Sequence, residues 1–291
     1  MQSMEDVGAD RTNSVDGFDA WKKRKGQAND VRPVYFVPTM GALHEGHGAL
    51  IKAARQAGGA QAEVVVSVYV NPTQFNDRED FLTYPKTRDD DMRLAAEAGA
   101  DIVVFPAAKE MYPKGIPDCL EKVDYGTLTR LWEAACRPGH FDGVVAVVRS
   151  LFEHTQPAQA FFGEKDWQQL AVIRRLAAEE FPGTTVVSVE TVREFGGLAK
   201  SSRNTRLSEA GRKHAQALHS ALLSAAEAKG EPRVMEGLLR SLAEDGFDVE
   251  YFAVVNADTL SQPWSGSSAG RVLVAAKYEG VRLIDNVEVL P

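Results

Sequence analysis

Hydrophobic and polar positions follow one pattern over the first two thirds of the chain and another over the last third. Between residues 34 and 189, short continuous apolar runs alternate with stretches of helical period. Five runs read as strands: 34–37, 64–70, 101–105, 158–162 and 185–189. The strongest is Val64-Val65-Val66-Ser67-Val68-Tyr69-Val70. Between them, 48–57, 89–98, 127–135, 144–154 and 167–181 read as helices. Apolar strands with no polar face, alternating with helices, imply an α/β fold: a Rossmann-like parallel sheet with helices on both faces.

After about residue 192 the pattern changes. Residues 208–229 read as one long helix with Ser208 as its cap and Gly230 as its stop, and 232–245 as another. Strands at 249–255, 271–277 and 281–289 follow, the last two joined by a tight turn at Glu279-Gly280. This is a smaller C-terminal α+β domain, with 262–270 a flexible loop inside it. The expected organisation is a loose tail with a short surface helix at 18–25 (1–32), an α/β domain (33–192), and the α+β domain (193–291), hinged near Gly196-Gly197 as a lid.

Composition narrows the function. The 291 residues are 44% hydrophobic and 25% charged, as in a soluble globular protein. A net charge of -8 argues against wrapping nucleic acid. Two cysteines, Cys119 and Cys136, make no disulfide framework and suit a reduced compartment. No apolar stretch approaches the roughly 18 residues of a membrane span. The polar, acidic start lacks the design of a secretory or transit segment, so a cytoplasmic protein is expected.

Five polar clusters carry candidate chemistry, several of them just beyond predicted strands, where open α/β sheets bind ligands. His44-Glu45-Gly46-His47 sits where a strand hands over to a helix N-terminus, a place that favours anions. Imidazoles there can donate to phosphate oxygens, with Gly46 letting a ligand approach the backbone. A solvated turn or a zinc pair are the alternatives, the latter short of the three or four ligands zinc needs. Asn71 and Gln74 can read hydroxyl or carboxylate groups, although an Asn-Pro turn is often only a turn. In Gly163-Glu164-Lys165-Asp166, Lys165 can serve as a compact cation and Asp166 can accept from a ribose hydroxyl or cap the next helix. Lys200-Ser201-Ser202-Arg203-Asn204 concentrates phosphate donors, or is a solvated linker. Asp89-Asp90-Asp91 can hold Mg²⁺ or be an acidic helix start. His140, after the Arg137-Pro138-Gly139 turn, is a further anion donor. A P-loop and a Gly-x-Gly-x-x-Gly fingerprint are both missing.

Together these stretches resemble the pantoate–β-alanine ligases (pantothenate synthetases), of the nucleotidyl-transferase group. The matching residues are Pro38 to His47, Val70 to Phe75, Arg137 to Phe141, Phe162 to Asp166 with Gln168-Gln169, Ser201 to Asn204, and Leu283-Ile284-Asp285-Asn286. The likeness runs from about residue 34 to 291 with order and spacing intact. It implies ATP-dependent condensation of pantoate with β-alanine through a pantoyl adenylate, releasing pyrophosphate and AMP. It further implies His44, His47, Lys165, Ser201, Ser202 and Arg203 around the ATP phosphates, with His44, His47, Lys165 and Arg203 catalytic. Gly163 and Asp166 then contact the ribose and Met40 stands beside the reacting groups. Gln74 and Gln169 read pantoate, with Asn71 near the reacting phosphate. Asp90 and Asp91 are on the Mg²⁺ side, Arg137 and His140 are at the site edge, and the protein is a homodimer. Two departures stand out: Gly196 replaces the family's usual Asp, and Ala134 the usual Gly. Competing readings are another nucleotidylyltransferase, a truncated aminoacyl-tRNA synthetase, or a non-catalytic nucleotide sensor.

Overall fold

The computed structural model describes residues 12–117 and 119–291. They form two compact units, each discontinuous in sequence: the described residues up to 122, with 142–162 and 173–189, in the first, and 123–141, 163–172 and 190–291 in the second. The sequence reading kept 33–192 together. Contacts instead group 123–141 and 163–172 with the C-terminal residues.

The first unit is built on a six-stranded sheet ordered β1-β4-β3-β2-β5-β6, parallel at each registered pair. Its strands are β1 (Asn13–Asp16), β2 (Val34–Thr39), β3 (Glu63–Val68), β4 (Ile102–Phe105), β5 (Gln159–Gly163) and β6 (Thr185–Val189). The helices are α1 (Phe18–Gln27), α2 (Glu45–Gly58), α3 (Arg78–Leu82), α4 (Arg88–Ala98) and α5 (Ala108–Met111). Two more, α7 (His140–Thr155) and α8 (Trp167–Glu180), pass from the second unit into the first.

The lack of alternation in these strands has a direct cause. Val37, Val64, Val66, Val103 and Phe161 pack against Leu50, Ile51 and Ala54 of α2 and Ala95 and Ala98 of α4. Their out-of-phase neighbours Phe36, Val65, Ile102 and Val104 are just as buried. Phe152 of α7 meets Phe162 edge-on at 6.5 Å. Both faces are therefore covered, and a polar residue has no solvent side to occupy. The strand order reverses at β2, so the ends of β2 and β5 mark the switch point of the sheet.

Two expectations about the N-terminus need correction. Residues 12–16 are not a loose tail: β1 pairs in parallel with β4, and the backbone N–H of Asn13 bonds the Asp101 carbonyl at 3.2 Å. A four-residue edge strand exposed at three of its positions shows no apolar signature. Residues 1–11 lie outside the described part. The helix at 18–27 is also no mere surface element, because Phe18 and Trp21 are buried.

The second unit centres on an antiparallel sheet, β7 (Asp248–Asn256), β8 (Gly270–Tyr278) and β9 (Val281–Val289), in that order. One face packs against α10 (Ala217–Glu227) and α11 (Pro232–Glu244), through Leu218, Leu222, Ala225 and Leu242. The expected single helix at 208–229 is two. α9 (Glu209–His214) is capped as anticipated, Ser208 Oγ accepting from the Gly211 N–H at 2.9 Å. Shorter-range bonds from Gln216, Leu218 and His219 to carbonyls three residues back then break the ladder before α10. The expected helix at 127–135 is likewise interrupted. A 3₁₀ turn (Gly126–Thr129) gives way to Trp132 at φ 54°, and only then does α6 (Glu133–Cys136) begin. The Trp132 indole is anchored by donating to the Leu260 carbonyl at 2.9 Å.

Candidate active site

In the first unit the site begins where β2 ends. Gly41, at φ 83°, turns the chain, and a Cβ there would stand 3.0 Å from both Asp91 Oδ2 and Val68 Cγ1, so only glycine fits. Asp91 is 1% exposed and holds this turn. Its Oδ1 accepts from the Leu43 N–H at 2.7 Å and its Oδ2 from the Ala42 N–H at 3.2 Å, with Thr87 Oγ1 adding a third bond. Asp90 points elsewhere, paired with Arg93 at 2.7 Å. These two carboxylates do not fit a Mg²⁺ site: the first is spent on backbone amides and the second on an arginine. Among the described residues, no three His, Cys, Asp or Glu side chains converge as metal ligands.

The turn delivers His44 to the N-cap of α2. His44 Nδ1 accepts from the Gly46 N–H at 3.1 Å, and His47 Nδ1 accepts from the His44 N–H at 3.2 Å. This is a reciprocal capping box made by two imidazoles where serine and glutamate are usual. It fixes the tautomer. With each Nδ1 lone pair committed to a backbone N–H, a neutral ring carries its proton on Nε2. Both half-buried rings, 4.2 Å apart between centroids, are thus hydrogen-bond donors at Nε2. Gly46 also makes room for the imidazole: a Cβ there would come within 2.8 Å of His44 Cε1.

Beyond β3, the neighbour of β2, Asn71 is 1% exposed and central to a small network. Its Nδ2 donates to Gln74 Oε1 at 3.0 Å and to the Gly143 carbonyl at 3.2 Å. Its Oδ1 accepts from the Tyr112 hydroxyl at 2.7 Å and from Thr73 Oγ1 at 3.0 Å. Gln74 Nε2 in turn donates to Met40 Sδ at 3.0 Å. Met40, Asn71 and Gln74 therefore form one chain across the ends of adjacent strands. Burial raises the Tyr112 phenol above its ordinary pKa, more than its bonds to Thr73 and Asn71 lower it, so it stays a neutral donor. Tyr112 and Gly143 carried no motif of their own in the sequence.

The second unit gathers another set of expected residues. Arg137, His140, Lys165, Asp166, Gln169 and Asn286 all line one open cavity. Arg137 donates to His140 Nε2 at 3.1 Å, which leaves that nitrogen unprotonated. Lys165 and Asp166 stand 3.7 Å apart. Arg137 also approaches Glu133 at 3.5 Å. Burial pushes the Arg137 guanidinium below its ordinary pKa; Glu133 opposes this, and the charges of Arg282 and Arg203 add to it. Glu133, 6% exposed, accepts from Tyr251 at 2.7 Å and from Arg282 at 2.6 and 2.9 Å. Gln168 and Gln169 divide their labour. Gln168 is buried and staples the 128–133 turn, accepting from the Glu133 N–H and donating to the Leu128 and Leu131 carbonyls. Gln169 lines the cavity.

Ser201 caps the short 3₁₀ turn Ser202–Arg206, its Oγ accepting from the Arg203 N–H at 3.3 Å. Asn204, 2% exposed, locks the turn by donating to the Ala199 carbonyl at 3.0 Å and to Glu194 at 2.9 Å. Gly163 ends β5 and leads straight into the turn that carries Lys165. None of these lies on the 42-to-47 or 71-to-74 segments, which belong to the first unit.

Comparison with known proteins gives the same reading. A sequence profile of the pantoate-beta-alanine ligase family matches residues 11–288. The chain is 45% identical over 265 residues to a pantothenate synthetase of Thermus thermophilus, spanning 89% of this chain and 94% of that protein. It is 47% identical over 264 residues to one of Rubrobacter xylanophilus, spanning 87% and 90%. The crystal structure of a Thermus thermophilus pantothenate synthetase superposes with a TM-score of 0.84 at 44% identity, covering 96% of this chain and all of that one. The pantoate-beta-alanine ligase of Francisella tularensis, complexed with beta-gamma ATP and beta-alanine, gives a TM-score of 0.79 at 30% identity, covering 95% and 97%. The chain belongs to the pantoate-beta-alanine ligase family and is an ATP-dependent ligase that joins pantoate to β-alanine.

Proposed function

We propose that the residues named below carry the ligase reaction, with the histidine capping box as the observation that carries the assignment. His44 and His47, held as Nε2–H donors, stabilise the charge that grows on the departing pyrophosphate. Lys165, Ser201, Ser202 and Arg203 contribute further donors to the ATP phosphates, and Gly163 and Asp166 hold the ribose. Asn71, Gln74 and Gln169 recognise pantoate, with Met40 beside the reacting groups. Arg137 and His140 support the edge of the cavity they line.

In the first step a pantoate carboxylate oxygen attacks the α-phosphorus, and the bond to the bridging oxygen breaks with its electron pair leaving on pyrophosphate. In the second, the neutral amine of β-alanine attacks the acyl carbon, the acyl carbon–oxygen bond breaks with its electron pair leaving on AMP, and the nitrogen's surplus proton passes to solvent. No covalent enzyme intermediate is required. The protein's contribution is positioning and preorganised donors aimed where charge develops. Magnesium enters as the counter-ion of ATP.

Pantoate-dependent exchange of pyrophosphate into ATP without β-alanine, and β-alanine-dependent AMP release, test the assignment. Folded protein with Mg²⁺ that shows neither would sink it, and exchange driven better by another short hydroxy acid would redirect it to a related transferase. We further propose a cytoplasmic homodimer; light scattering that returns the mass of one chain would refute the dimer.

A further inference from the structure

The family reading leaves one matching motif without a job, Leu283-Ile284-Asp285-Asn286 on β9. Strand alternation puts Leu283, Asp285, Val287 and Val289 in one phase and Arg282, Ile284 and Asn286 in the other. The first phase is the helix-packed one, holding Leu283, Val287 and Val289 in the core with α10. The second includes Ile284 and Asn286, which line the cavity, and Asp285 between them borders it as well. A charged residue in the apolar phase, 6% exposed at Asp285, calls for a specific partner.

Both residues have one. Asn286, 4% exposed, donates from Nδ2 to two consecutive carbonyls, those of Glu164 and Lys165, each at 2.9 Å. Asp285 takes Arg193 in a two-pronged pair, at 2.6 and 2.9 Å. Arg193 then donates to the Gly197 carbonyl at 2.8 Å and forms a backbone bridge with Ala199, immediately before the Lys200-to-Asn204 stretch. The same strand reaches a third loop through Arg282, which holds Glu133 beside Arg137.

We infer that Asp285 and Asn286 are positioning residues of the ligase reaction: from opposite faces of one strand they set the loop that carries Lys165 and the loop that carries Ser201 to Arg203. The inference rests on the proposed roles of those residues. Neither Asp285 nor Asn286 has to touch ATP or pantoate; each acts through backbone or through Arg193. A displacement of about 1 Å in a catalytic group is enough to cost on the order of a hundredfold in rate, which is the scale such a jig controls.

The test is a double-mutant cycle in the pyrophosphate-exchange assay. Asn286→Ala is expected to lower kcat about 10- to 100-fold while KM for pantoate changes by less than about threefold. In a Lys165→Ala background the same substitution is expected to cost less than about threefold, because the group it positions is already gone. Asp285→Asn should behave likewise against Arg203→Ala. Wild-type kcat in Asn286→Ala, or a full repeat of its loss in the Lys165→Ala background, overturns the inference. Asn286→Asp, which keeps the shape but cannot donate, is the second variant; failure of both to fold would assign the residue to stability alone and overturn the role. Hydrogen exchange by mass spectrometry separates this from the activity itself. Asn286→Ala should speed exchange at 163–167 and leave 34–47 unchanged, even if wild-type protein lacked exchange activity. Unchanged protection at 163–167 would also overturn the inference, whereas inactive wild-type protein would count against the proposed reaction.

Discussion

Replacing Glu133 by glutamine should remove a defined part of this protein's stability, and only above a defined pH. Glu133 is buried, which by itself would raise its pKa; the hydrogen bonds and charge of Arg282, with Tyr251 and Arg137 in support, outweigh burial and hold the carboxyl at about 2 against an ordinary 4.5. The same pair raises the Arg282 guanidinium. A carboxyl held that far down corresponds to about 3 kcal/mol, at about 1.4 kcal/mol per tenfold change in proton affinity. The folded-state pKa lies below the unfolded one. The stabilisation is therefore complete above pH 4.5 and is lost as pH falls from 4.5 toward 2. Glutamine keeps the shape but cannot ionise. Glu133→Gln is expected to be about 3 kcal/mol less stable than the parent at pH 7, in the range for breaking a buried ion pair. Urea unfolding measures it. With a slope of roughly 2 kcal/mol per molar, the midpoint should drop by about 1.5 M. Tryptophan fluorescence is the natural probe, since Trp132, Trp167 and Trp264 all belong to the second unit. Repeated between pH 7 and pH 3, the gap should narrow by roughly half, as the Glu133 carboxyl of the unfolded parent chain takes up its proton below 4.5 while the folded one stays ionised. A gap that stays constant over that range would refute the ion-pair account and leave packing as the cause of any loss.

Further predictions bear on the site. Lys165→Ala and His44→Ala should each lower exchange turnover by about two to three orders of magnitude, the scale of losing one transition-state donor, and near-normal turnover in both would refute their roles. Gly46→Ala should cut turnover at least about tenfold with no loss of thermal stability, because alanine favours the helix by up to about 1 kcal/mol while its Cβ displaces the His44 ring; unchanged turnover would show that the ring position does not matter. Tyr112→Phe should raise KM for pantoate about fivefold, equivalent to losing roughly 1 kcal/mol of hydrogen bonding, and leave KM for ATP alone; equal changes in both would count against selective support of Asn71. Asp91→Asn should lower stability by about 1–3 kcal/mol at every Mg²⁺ concentration, since it weakens the clamp on the Ala42 and Leu43 amides. Recovery at high Mg²⁺ would instead restore the metal role.

The sheet of the first unit could be read from sequence because burial on both faces writes itself into uninterrupted valines. What failed were features set by distant partners. β1 is polar and four residues long; only the free edge of β4 makes it a strand. Residues 127–135 have helical period, yet Trp132 turns the chain to reach a carbonyl 128 positions away. Asp91 sits in an acidic helix start that suits a metal equally well, and only its two backbone donors decide. The motifs proposed to carry the reaction were legible for the opposite reason. The chemistry needs particular side chains at strand ends, so their identities survive as short local strings. Their supports are legible only when they break a local rule. Asp285 does so, as a carboxylate in the apolar phase of an alternating strand. A residue that violates its element's period without a nearby charge to satisfy it must be answered from elsewhere in the fold, and here the answer is the arginine that anchors the loop leading into Ser201.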